Sequence, residues 1–151
     1  MNMKSINSPT GTLTLYAEND KIIVLEWGKP APGFGSNPVL DEACDQLNAY
    51  FDGKLRQFDL PLDPHGTKHQ KAVWHEMTLI PYGQLKTYGD LARTLGSSGQ
   101  AVGGACGKNP IPIIIPCHRI VGAGGKMTGF SGGEGVETKL QLLRLEGAAI
   151  I

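Results

Sequence analysis

Near the start of the chain, hydrophobic and polar residues follow a pattern typical of β-structure. Residues 12–16 alternate between polar and apolar side chains, and residues 22–27 are rich in β-forming types. Residues 18–21, which lie between these two stretches, are suited to a tight turn. The pattern therefore predicts a β-hairpin.

The spacing of apolar residues then becomes helical. Asn37 is a good N-cap, Pro38 suits the first helical position, and Gly53 marks an end. Between them, the apolar side chains that recur at helical spacing are Leu40, Ala43, Cys44, Leu47 and Phe51. This stripe predicts an amphipathic helix with Cys44 in the core. Residues 58–62 predict a further short extended segment.

Capping residues precede three more helical segments. Thr67 and Gln70 have the spacing of a capping box, Thr87 and Asp90 repeat it, and Ser98 can cap a third helix. The predicted ends of these helices lie at Pro81, Gly96 and Cys106. The last two helices are short and joined by a Gly-Ser turn, which matches a helix-turn-helix, although any two packed short helices share this pattern.

The C-terminal part combines an apolar run with one more helix. Residues 111–115 are predicted to form a buried strand or extended segment. A stripe made by Val136, Leu140 and Leu143 predicts a helix that ends at Gly147. Glu146 then lies in the last turn, where the helix dipole disfavours an anion. We expect it to have a cationic or N–H partner, and a solvated surface glutamate is the alternative.

Composition narrows the class of protein. The 151 residues contain no run of about 18 apolar side chains and no signal-peptide pattern at the N-terminus. We therefore expect a cytoplasmic protein with no membrane partner. The three cysteines, Cys44, Cys106 and Cys117, are widely spaced and form no Cys-x-x-Cys pair. This argues for reduced thiols and against a disulfide framework, a metal site or another cofactor.

Charge is distributed unevenly although the net charge is zero. Residues 1–66 carry five basic and nine acidic side chains, whereas residues 67–151 carry nine basic and five acidic ones, so the halves are near −4 and +4. Zero net charge is unusual for a DNA-binding protein, because phosphate contacts usually dominate affinity. The asymmetry favours the C-terminal half as a nucleic-acid surface.

A candidate nucleophile follows the apolar run. Cys117, His118 and Arg119 are adjacent and come directly after Pro116. The thiolate is the reactive form of cysteine, and neighbouring cationic or hydrogen-bonding groups lower its pKa from about 8.5. Cys117 is therefore a candidate activated nucleophile. A small buried cysteine beside a solvated His-Arg pair is the alternative.

The predicted third helix of the C-terminal half has almost no polar side chains. Residues 101–105 read Ala-Val-Gly-Gly-Ala. Glycine within a helix costs about 0.5–1 kcal/mol relative to alanine, so such a run requires a reason. A helix that reads the major groove carries Arg, Asn or Gln, whereas this one suits close approach to a minor groove. Tight packing against the Cys117 segment is the alternative.

Several motifs, in order, resemble the O6-alkylguanine-DNA alkyltransferase family. They are Tyr88-Gly-Asp-Leu-Ala, Ala101-Val-Gly-Gly-Ala-Cys-Gly-Lys-Asn-Pro, the segment Ile-Ile-Ile-Pro-Cys-His-Arg-Ile-Val around Cys117, Gly129-Phe-Ser-Gly-Gly and the closing Leu-Leu-Arg-Leu-Glu-Gly. The resemblance extends from about Gly66 to Gly147. It implies irreversible, single-turnover transfer of an alkyl group from O6 of guanine, and also from O4 of thymine, in double-stranded DNA to Cys117.

The resemblance also implies the fold. We expect an α+β protein with a small N-terminal RNase H-like α/β domain over residues 1–63. A helical, winged helix-turn-helix-like domain that binds DNA and carries the catalytic motif would occupy residues 64–151. The resemblance implies a monomer that needs no cofactor.

Roles for individual residues follow from the matched motifs. The resemblance implies that His118 deprotonates Cys117 through a water, that Glu146 orients His118, and that Asn109 holds the loop before the cysteine. Tyr88 would donate a hydrogen bond to the departing guanine. Further substrate contacts are implied for Gly129, Phe130, Ser131 and Val121. DNA contacts are implied for Gln100, Ala101, Gly103, Gly104, Ser98 and Thr87.

From the residues alone, some of these positions have simpler interpretations. Asn109 before Pro110 is also typical of an ordinary turn. Tyr88, at a helix start, is also consistent with a core aromatic residue. Arg119 is expected to hold structure rather than substrate.

The chain departs from the family pattern at three positions. Gln100 stands where an arginine normally intercalates in place of the flipped base, so we expect weaker DNA binding than is typical of the family. Phe130 replaces a tyrosine, which removes a hydroxyl from the active-site loop. His69 stands where an aromatic residue such as phenylalanine is common, and we interpret it as structural variation.

Two other functional classes fit parts of the pattern. One is a protein that recognises alkylated bases without reacting, and Cys117 argues against it. The other is a cysteine hydrolase that uses Cys117, His118 and Glu146, which needs an oxyanion hole that the motifs do not provide.

Overall fold

The structure, a computed structural model, describes residues 1–29, 34–130 and 132–149. The α+β chain divides into two units, Met1–His65 and Gly66–Ile151. The first contains a sheet and one helix, and the second is mainly helical.

The N-terminal unit contains a three-stranded antiparallel sheet. Strands β1 (Asn2–Ser8), β2 (Gly11–Glu18) and β3 (Lys21–Trp27) lie in sequence order. The predicted hairpin, formed by β2 and β3, is confirmed. Strand β1 was not predicted, because its apolar residues Met3 and Ile6 are out of phase with an alternating pattern.

One helix packs on this sheet. Helix α1 spans Pro38–Phe51, and the Asn37 side chain accepts a hydrogen bond from Leu40 N, as the pattern predicted. Cys44 is buried in the core, and burial raises the pKa of its thiol to about 11. Residues 58–62 form only one β-bridge, Ile22 to Leu62, rather than a strand.

Three helices begin the C-terminal unit. They are α2 (Lys68–Thr78), α3 (Tyr88–Leu95) and α4 (Gly99–Gly107). Both predicted capping boxes are present, and Gly96 ends α3 in the left-handed region with φ 62°. The Trp74 indole donates a buried 2.8 Å hydrogen bond to Ala105 O, which ties α2 to α4. These helices confirm the predicted helix-turn-helix pattern.

The predicted extended segment at residues 111–115 is wrong. These residues are buried but form a tight turn, in which Ile115 N donates to Ile111 O at 2.9 Å and Ile113 has φ 72°. The Asn109 side chain, which donates to Ile115 O at 2.9 Å and accepts from Ile111 N at 3.0 Å, stabilises the turn. A run of apolar residues predicts that a segment is buried, but it does not predict the backbone conformation of that segment.

A short parallel pair and a last helix complete the unit. Strand β5 (Ile120–Val121) directly follows the 3-10 turn Cys117–Arg119. It pairs in parallel with β4 (Lys86–Thr87). Helix α5 spans Val136–Leu145. Its predicted stripe is partly wrong, because the buried side chains are Thr138, Lys139, Leu142 and Leu143, whereas Val136 is exposed. No helix within the described residues is both long and apolar enough to span a membrane.

Candidate active site and nucleic-acid surface

Cys117 opens the 3-10 turn that follows the Ile111–Ile115 turn. The Cys117 N–H donates to Ile115 O at 2.8 Å, and Arg119 N donates to Pro116 O at 3.0 Å. Strand β5 then leads the chain away, paired with β4. Hydrogen bonds on both sides of Cys117 therefore fix its backbone, while its side chain remains half-buried.

The Cys117 side chain lies in a pocket of about 400 Å³. The residues that line it are Tyr88, Gly103, Cys106, Gly107, Cys117, Gly129 and Phe130. Three structural elements therefore meet around one thiol: the start of α3, the inner face of α4 and the loop that carries Gly129. A pocket of this size is large enough for a small planar ligand.

The environment of Cys117 favours the neutral thiol at rest. Burial raises the pKa of Cys117, whereas the Asn109 side chain and the nearby Lys139 ammonium lower it. Burial has the larger effect, so the net shift is upward. Cys117, His118 and Arg119 are adjacent in sequence, but His118 and Arg119 do not keep Cys117 as a thiolate. A base is therefore needed to remove the proton of Cys117.

His118, the next residue in the chain, carries a group that can act as a base. Its side chain is fully buried, and its Nε2 lies 2.7 Å from Oε2 of the equally buried Glu146. An ionised carboxylate is only an acceptor, so the proton of neutral His118 lies on Nε2 and the lone pair on Nδ1. Nδ1 is buried and has no hydrogen-bond partner among the described residues.

His118 is neutral near pH 7. Burial lowers the pKa of His118, and the Glu146 carboxylate, which raises it, does not fully offset this. The imidazole therefore begins each reaction with a free lone pair. A proton that arrives on Nδ1 is then stabilised by the carboxylate on the opposite side of the ring.

Arg119 completes the buried group around Glu146. Its Nε and Nη2 donate to the two carboxylate oxygens at 2.8 and 3.0 Å, and its Nη1 donates to Ile80 O at 2.7 Å. Glu146 is the C-cap of α5. The negative end of the helix dipole and the carboxylate are thus compensated by a bidentate arginine. The structure places Arg119 in this group and not among the residues that line the pocket.

Tyr88 and the loop beside it form one side of the pocket. Tyr88 is the first residue of α3, and its phenol oxygen accepts a 3.2 Å hydrogen bond from the Thr128 hydroxyl. Burial raises the pKa of Tyr88, so the phenol keeps its proton near pH 7. That O–H remains able to donate to a ligand in the pocket.

Lys139 is a residue of this region that the sequence did not reveal. It is fully buried on α5, and its ammonium donates to Ile120 O at 2.6 Å and to Thr128 O at 3.0 Å. The available signal was its position: a lysine stands three residues after Val136 and four before Leu143, within the predicted apolar stripe. Lysine is almost never fully buried without a partner.

Helix α4 presents a nearly bare surface. Gln100, Ala101 and Gly104 are exposed, and a Cβ built on Gly104 or on Gly107 would meet no atom within 4 Å. Packing within the described part of the chain therefore does not require these glycines, and the alternative of tight packing against the Cys117 segment does not explain them. Gly103 differs, because its Cβ would touch the Tyr88 ring at 3.9 Å.

The remaining predicted residues have other positions. Thr87 and Ser98 are the N-caps of α3 and α4, accepting from Asp90 N and Ala101 N respectively. Val121 is buried in β5 and is not among the residues that line the pocket. Ser131 lies outside the described residues. His69 Nε2 lies 2.9 Å from the Ser97 hydroxyl, which links α2 to the turn before α4.

No metal site is visible in the described ranges, where no group of three or more His, Cys, Asp or Glu side chains is arranged to hold an ion.

Two family models together match most of the chain. The 6-O-methylguanine DNA methyltransferase ribonuclease-like domain matches residues 1–64, and the 6-O-methylguanine DNA methyltransferase DNA binding domain matches residues 68–148. The second match contains every residue of the pocket and of the buried group around Glu146.

Individual relatives agree with these matches. A methylated-DNA--protein-cysteine methyltransferase of Methanosarcina acetivorans is 50% identical over 150 residues, covering 93% of this chain and 95% of that protein. One from Mycobacterium tuberculosis is 43% identical over 157 residues, covering 95% of this chain and 90% of that protein.

A solved structure extends the likeness to three dimensions. The crystal structure of Mycobacterium tuberculosis OGT in complex with DNA superimposes with a TM-score of 0.87 at 42% sequence identity, covering 97% of this chain and 93% of that chain. Sequence, fold and domain matches agree over nearly the whole length, and the chain belongs to the O6-methylguanine DNA methyltransferase family.

Proposed function

We propose that this protein repairs DNA by transferring an alkyl group from O6 of guanine to Cys117, irreversibly and once per molecule. The observation that carries this proposal is the Cys117 thiol in a pocket, followed in sequence by His118, whose imidazole is held by a buried Glu146. The names of the relatives support the same activity. O4-alkylthymine is a second proposed substrate.

The first step is removal of the thiol proton. Nδ1 of His118 takes the proton of Cys117 through a water, and the imidazolium that forms is stabilised by Glu146 on Nε2. The Asn109 side chain lowers the pKa of Cys117 and so favours the thiolate. Because Cys117 and His118 are both neutral at rest, the thiolate and the imidazolium form only when the proton is transferred.

The second step is an in-line displacement. The thiolate sulfur attacks the alkyl carbon, a C–S bond forms, and the bond from that carbon to O6 breaks. The electron pair leaves with the guanine. We propose that the Tyr88 hydroxyl, which lies in the pocket wall, donates a hydrogen bond to the departing base and disperses this charge.

The remaining pocket residues are proposed to hold the base. Gly129 and Phe130 line the pocket, and with Ser131 they form the loop that we assign to guanine recognition. Phe130 can contact the base but has no hydroxyl to donate. We propose that Val121 acts indirectly, because it is buried beneath the site in β5.

Helix α4 is the proposed DNA surface. Its exposed Ala101 and Gly104 leave space for a nucleic-acid backbone to approach closely, which fits insertion in a minor groove of double-stranded DNA. Because a base inside a duplex cannot reach Cys117, the target guanine must be flipped into the pocket. Flipping leaves a gap in the base stack of the duplex. We assign Gln100, in the first turn of α4, to fill this gap.

The domain division and the oligomeric state complete the proposal. We assign DNA binding and alkyl transfer to residues 64–151, and an accessory role to the RNase H-like domain over residues 1–63. A monomer is sufficient for this assignment, since the pocket and its base come from the described residues of one chain.

The hydrolase alternative is disfavoured by one hydrogen bond. Cysteine and serine hydrolases use backbone N–H groups at the nucleophile to stabilise an oxyanion. The Cys117 N–H is already donated to Ile115 O at 2.8 Å. A protein that only recognises alkylated bases does not need a thiol in its pocket, so Cys117 argues against that class.

Incubation with a duplex that contains O6-methylguanine, followed by peptide mass spectrometry, tests the proposal. We expect a methyl thioether on Cys117 and unmodified guanine in the DNA. Binding without any change in protein mass would indicate a recognition protein, and release of methanol with unmodified Cys117 would indicate a hydrolase. Cys117→Ala should bind the duplex without reacting.

A further inference from the structure

Lys139 is a fully buried cation that the proposed transfer does not yet explain. Its ammonium donates hydrogen bonds to Ile120 O at 2.6 Å and to Thr128 O at 3.0 Å. Burying a charged ammonium is unfavourable, and two neutral carbonyl groups offset only part of this cost. A methionine or leucine would fill the same space on α5 without it, so the charge requires an explanation.

The two carbonyl groups belong to segments that are close in sequence to residues of the pocket. Ile120 is the residue directly after the 3-10 turn that begins at Cys117. Thr128 directly precedes Gly129 and Phe130, which line the pocket. The Thr128 hydroxyl in turn donates to the Tyr88 phenol oxygen at 3.2 Å. One ammonium therefore connects the strand behind the nucleophile to the loop and the tyrosine beside the substrate.

The charge of Lys139 also acts on the thiols. The ammonium lowers the pKa of both Cys117 and Cys106. Burial lowers the pKa of Lys139 itself, and the two cysteines oppose that shift. In the low-dielectric surroundings of a buried site, such an interaction is stronger than at a surface. His118 cannot supply this charge at rest, because burial keeps it neutral.

We propose that Lys139 is a positioning residue for alkyl transfer, which holds the Thr128–Phe130 segment against β5 and supplies the fixed positive charge that stabilises the Cys117 thiolate. The inference rests on the proposed function only for the identity of Cys117 as acceptor. It assigns two tasks to one residue, because the loop must hold the base at the moment when the thiolate attacks.

Thiol titration separates charge from structure. We would treat the protein with iodoacetamide from about pH 6 to about pH 11, without DNA, and follow carboxamidomethylation of Cys117 by peptide mass spectrometry. Lys139→Met retains length and removes charge, Lys139→Gln also retains N–H donors, and Lys139→Arg retains charge. The apparent pKa of Cys117 should rise by about one unit or more in Lys139→Met and Lys139→Gln. A nearby opposite charge produces a shift of this size.

Cys44 provides an internal control. It is buried in the N-terminal unit, and the cation that acts on it is Lys4. Its labelling should be the same in every variant, and increased labelling would report unfolding of that unit. Thermal melting followed by circular dichroism shows whether the C-terminal unit remains folded. If Lys139→Met does not fold, Lys139→Gln provides the same comparison.

An unchanged Cys117 titration in a folded, uncharged variant would overturn the inference, as would an equal rise in Lys139→Arg. A lower transfer rate at every pH with no change in titration would also contradict it, because that result is expected of a purely structural lysine. Failure of the wild-type protein to accept a methyl group would instead contradict the proposed function and leave the titration result interpretable.

Discussion

His118 and Glu146 are 28 residues apart in sequence, yet their side chains form a fully buried 2.7 Å hydrogen bond. The carboxylate fixes the tautomer of the imidazole, so the lone pair lies on Nδ1. In the proposed mechanism, it also stabilises the imidazolium that forms when Cys117 loses its proton. The pair would then act as a base only during transfer, because the resting site is neutral apart from the Glu146–Arg119 ion pair and Lys139.

Glu146→Gln should slow transfer by at least about tenfold. General acid–base groups contribute roughly 10²–10⁴-fold to a rate, and Glu146 acts only through His118. A neutral amide no longer stabilises the imidazolium, so the apparent pKa of Cys117 should rise and the rate should increase at higher pH than in the wild-type protein. Single-turnover rates from about pH 5 to 9, which span the reference pKa values of His and Cys, measure this effect.

The same variant leaves Arg119 without its carboxylate partner. Removing one partner of a buried ion pair costs about 3–5 kcal/mol, so the melting temperature should fall as well. Rates must therefore be compared well below the melting temperature of the variant. An identical pH profile in a folded Glu146→Gln protein would show that the buried carboxylate has a structural role only.

Stability should depend on pH through His118. Burial lowers the pKa of His118 in the folded state. The unfolded chain therefore binds a proton at a higher pH than the folded protein does. The contribution is complete above the ordinary histidine pKa of about 6.5 and is lost as the pH falls below it toward the folded-state value.

His118→Asn removes this titration and keeps an N–H donor for Glu146. Between about pH 7 and pH 5, the wild-type protein should lose up to about 2 kcal/mol more unfolding free energy than the variant. Urea denaturation at each pH measures the difference. Parallel curves for the two proteins would mean that His118 titrates normally in the folded state.

Gln100→Arg should accelerate repair of duplex DNA. An arginine supplies a cation and a plane that stacks on bases, for which roughly 1–3 kcal/mol per contact corresponds to about threefold to a hundredfold in rate. Free O6-benzylguanine needs no flipping, so its reaction rate should not change. Gln100→Ala is the matched control and should lower only the duplex rate. Equal effects on both substrates would show that another residue opens the helix.

Gly104→Ala should have opposite effects on stability and on DNA repair. The new methyl group meets no atom within 4 Å in the free protein. The unfolding free energy should therefore rise by about 0.5–1 kcal/mol, the usual difference between the two residues in a helix. If α4 lies against DNA, the same methyl group overpacks that contact, which typically costs about 1–3 kcal/mol. Denaturation and duplex binding measured on one sample provide the comparison, and unchanged binding would place the DNA elsewhere.

The helices could be predicted from sequence because local signals determine them. Thr67, Thr87 and Ser98 cap their helices with their own side chains, and Gly96 adopts the left-handed conformation that ends α3. Such interactions involve residues only a few positions apart. Residue patterns alone indicated Cys117 as a nucleophile and a partner for Glu146, and the family resemblance supplied the other site residues.

The failed predictions have two causes. The Ile111–Ile115 turn is stabilised by the Asn109 side chain, which donates to Ile115 O and accepts from Ile111 N, and an apolar run does not encode these bonds. Lys139 was missed because its partners, Ile120 O and Thr128 O, lie 19 and 11 residues away. In the sequence, a lysine within an apolar stripe is expected to be exposed. Its burial becomes clear only when the carbonyl groups that accept its hydrogen bonds are known.

Stoichiometry tests the central claim most directly. A fixed amount of protein is titrated with an increasing excess of O6-methylguanine duplex, and both restored guanine and protein mass are measured at completion. We predict that restored guanine reaches one equivalent per protein and stops, while every protein molecule gains the mass of one CH2 on Cys117. Continued turnover beyond one equivalent, or a methyl group on Cys44 or Cys106 instead of Cys117, would contradict the account.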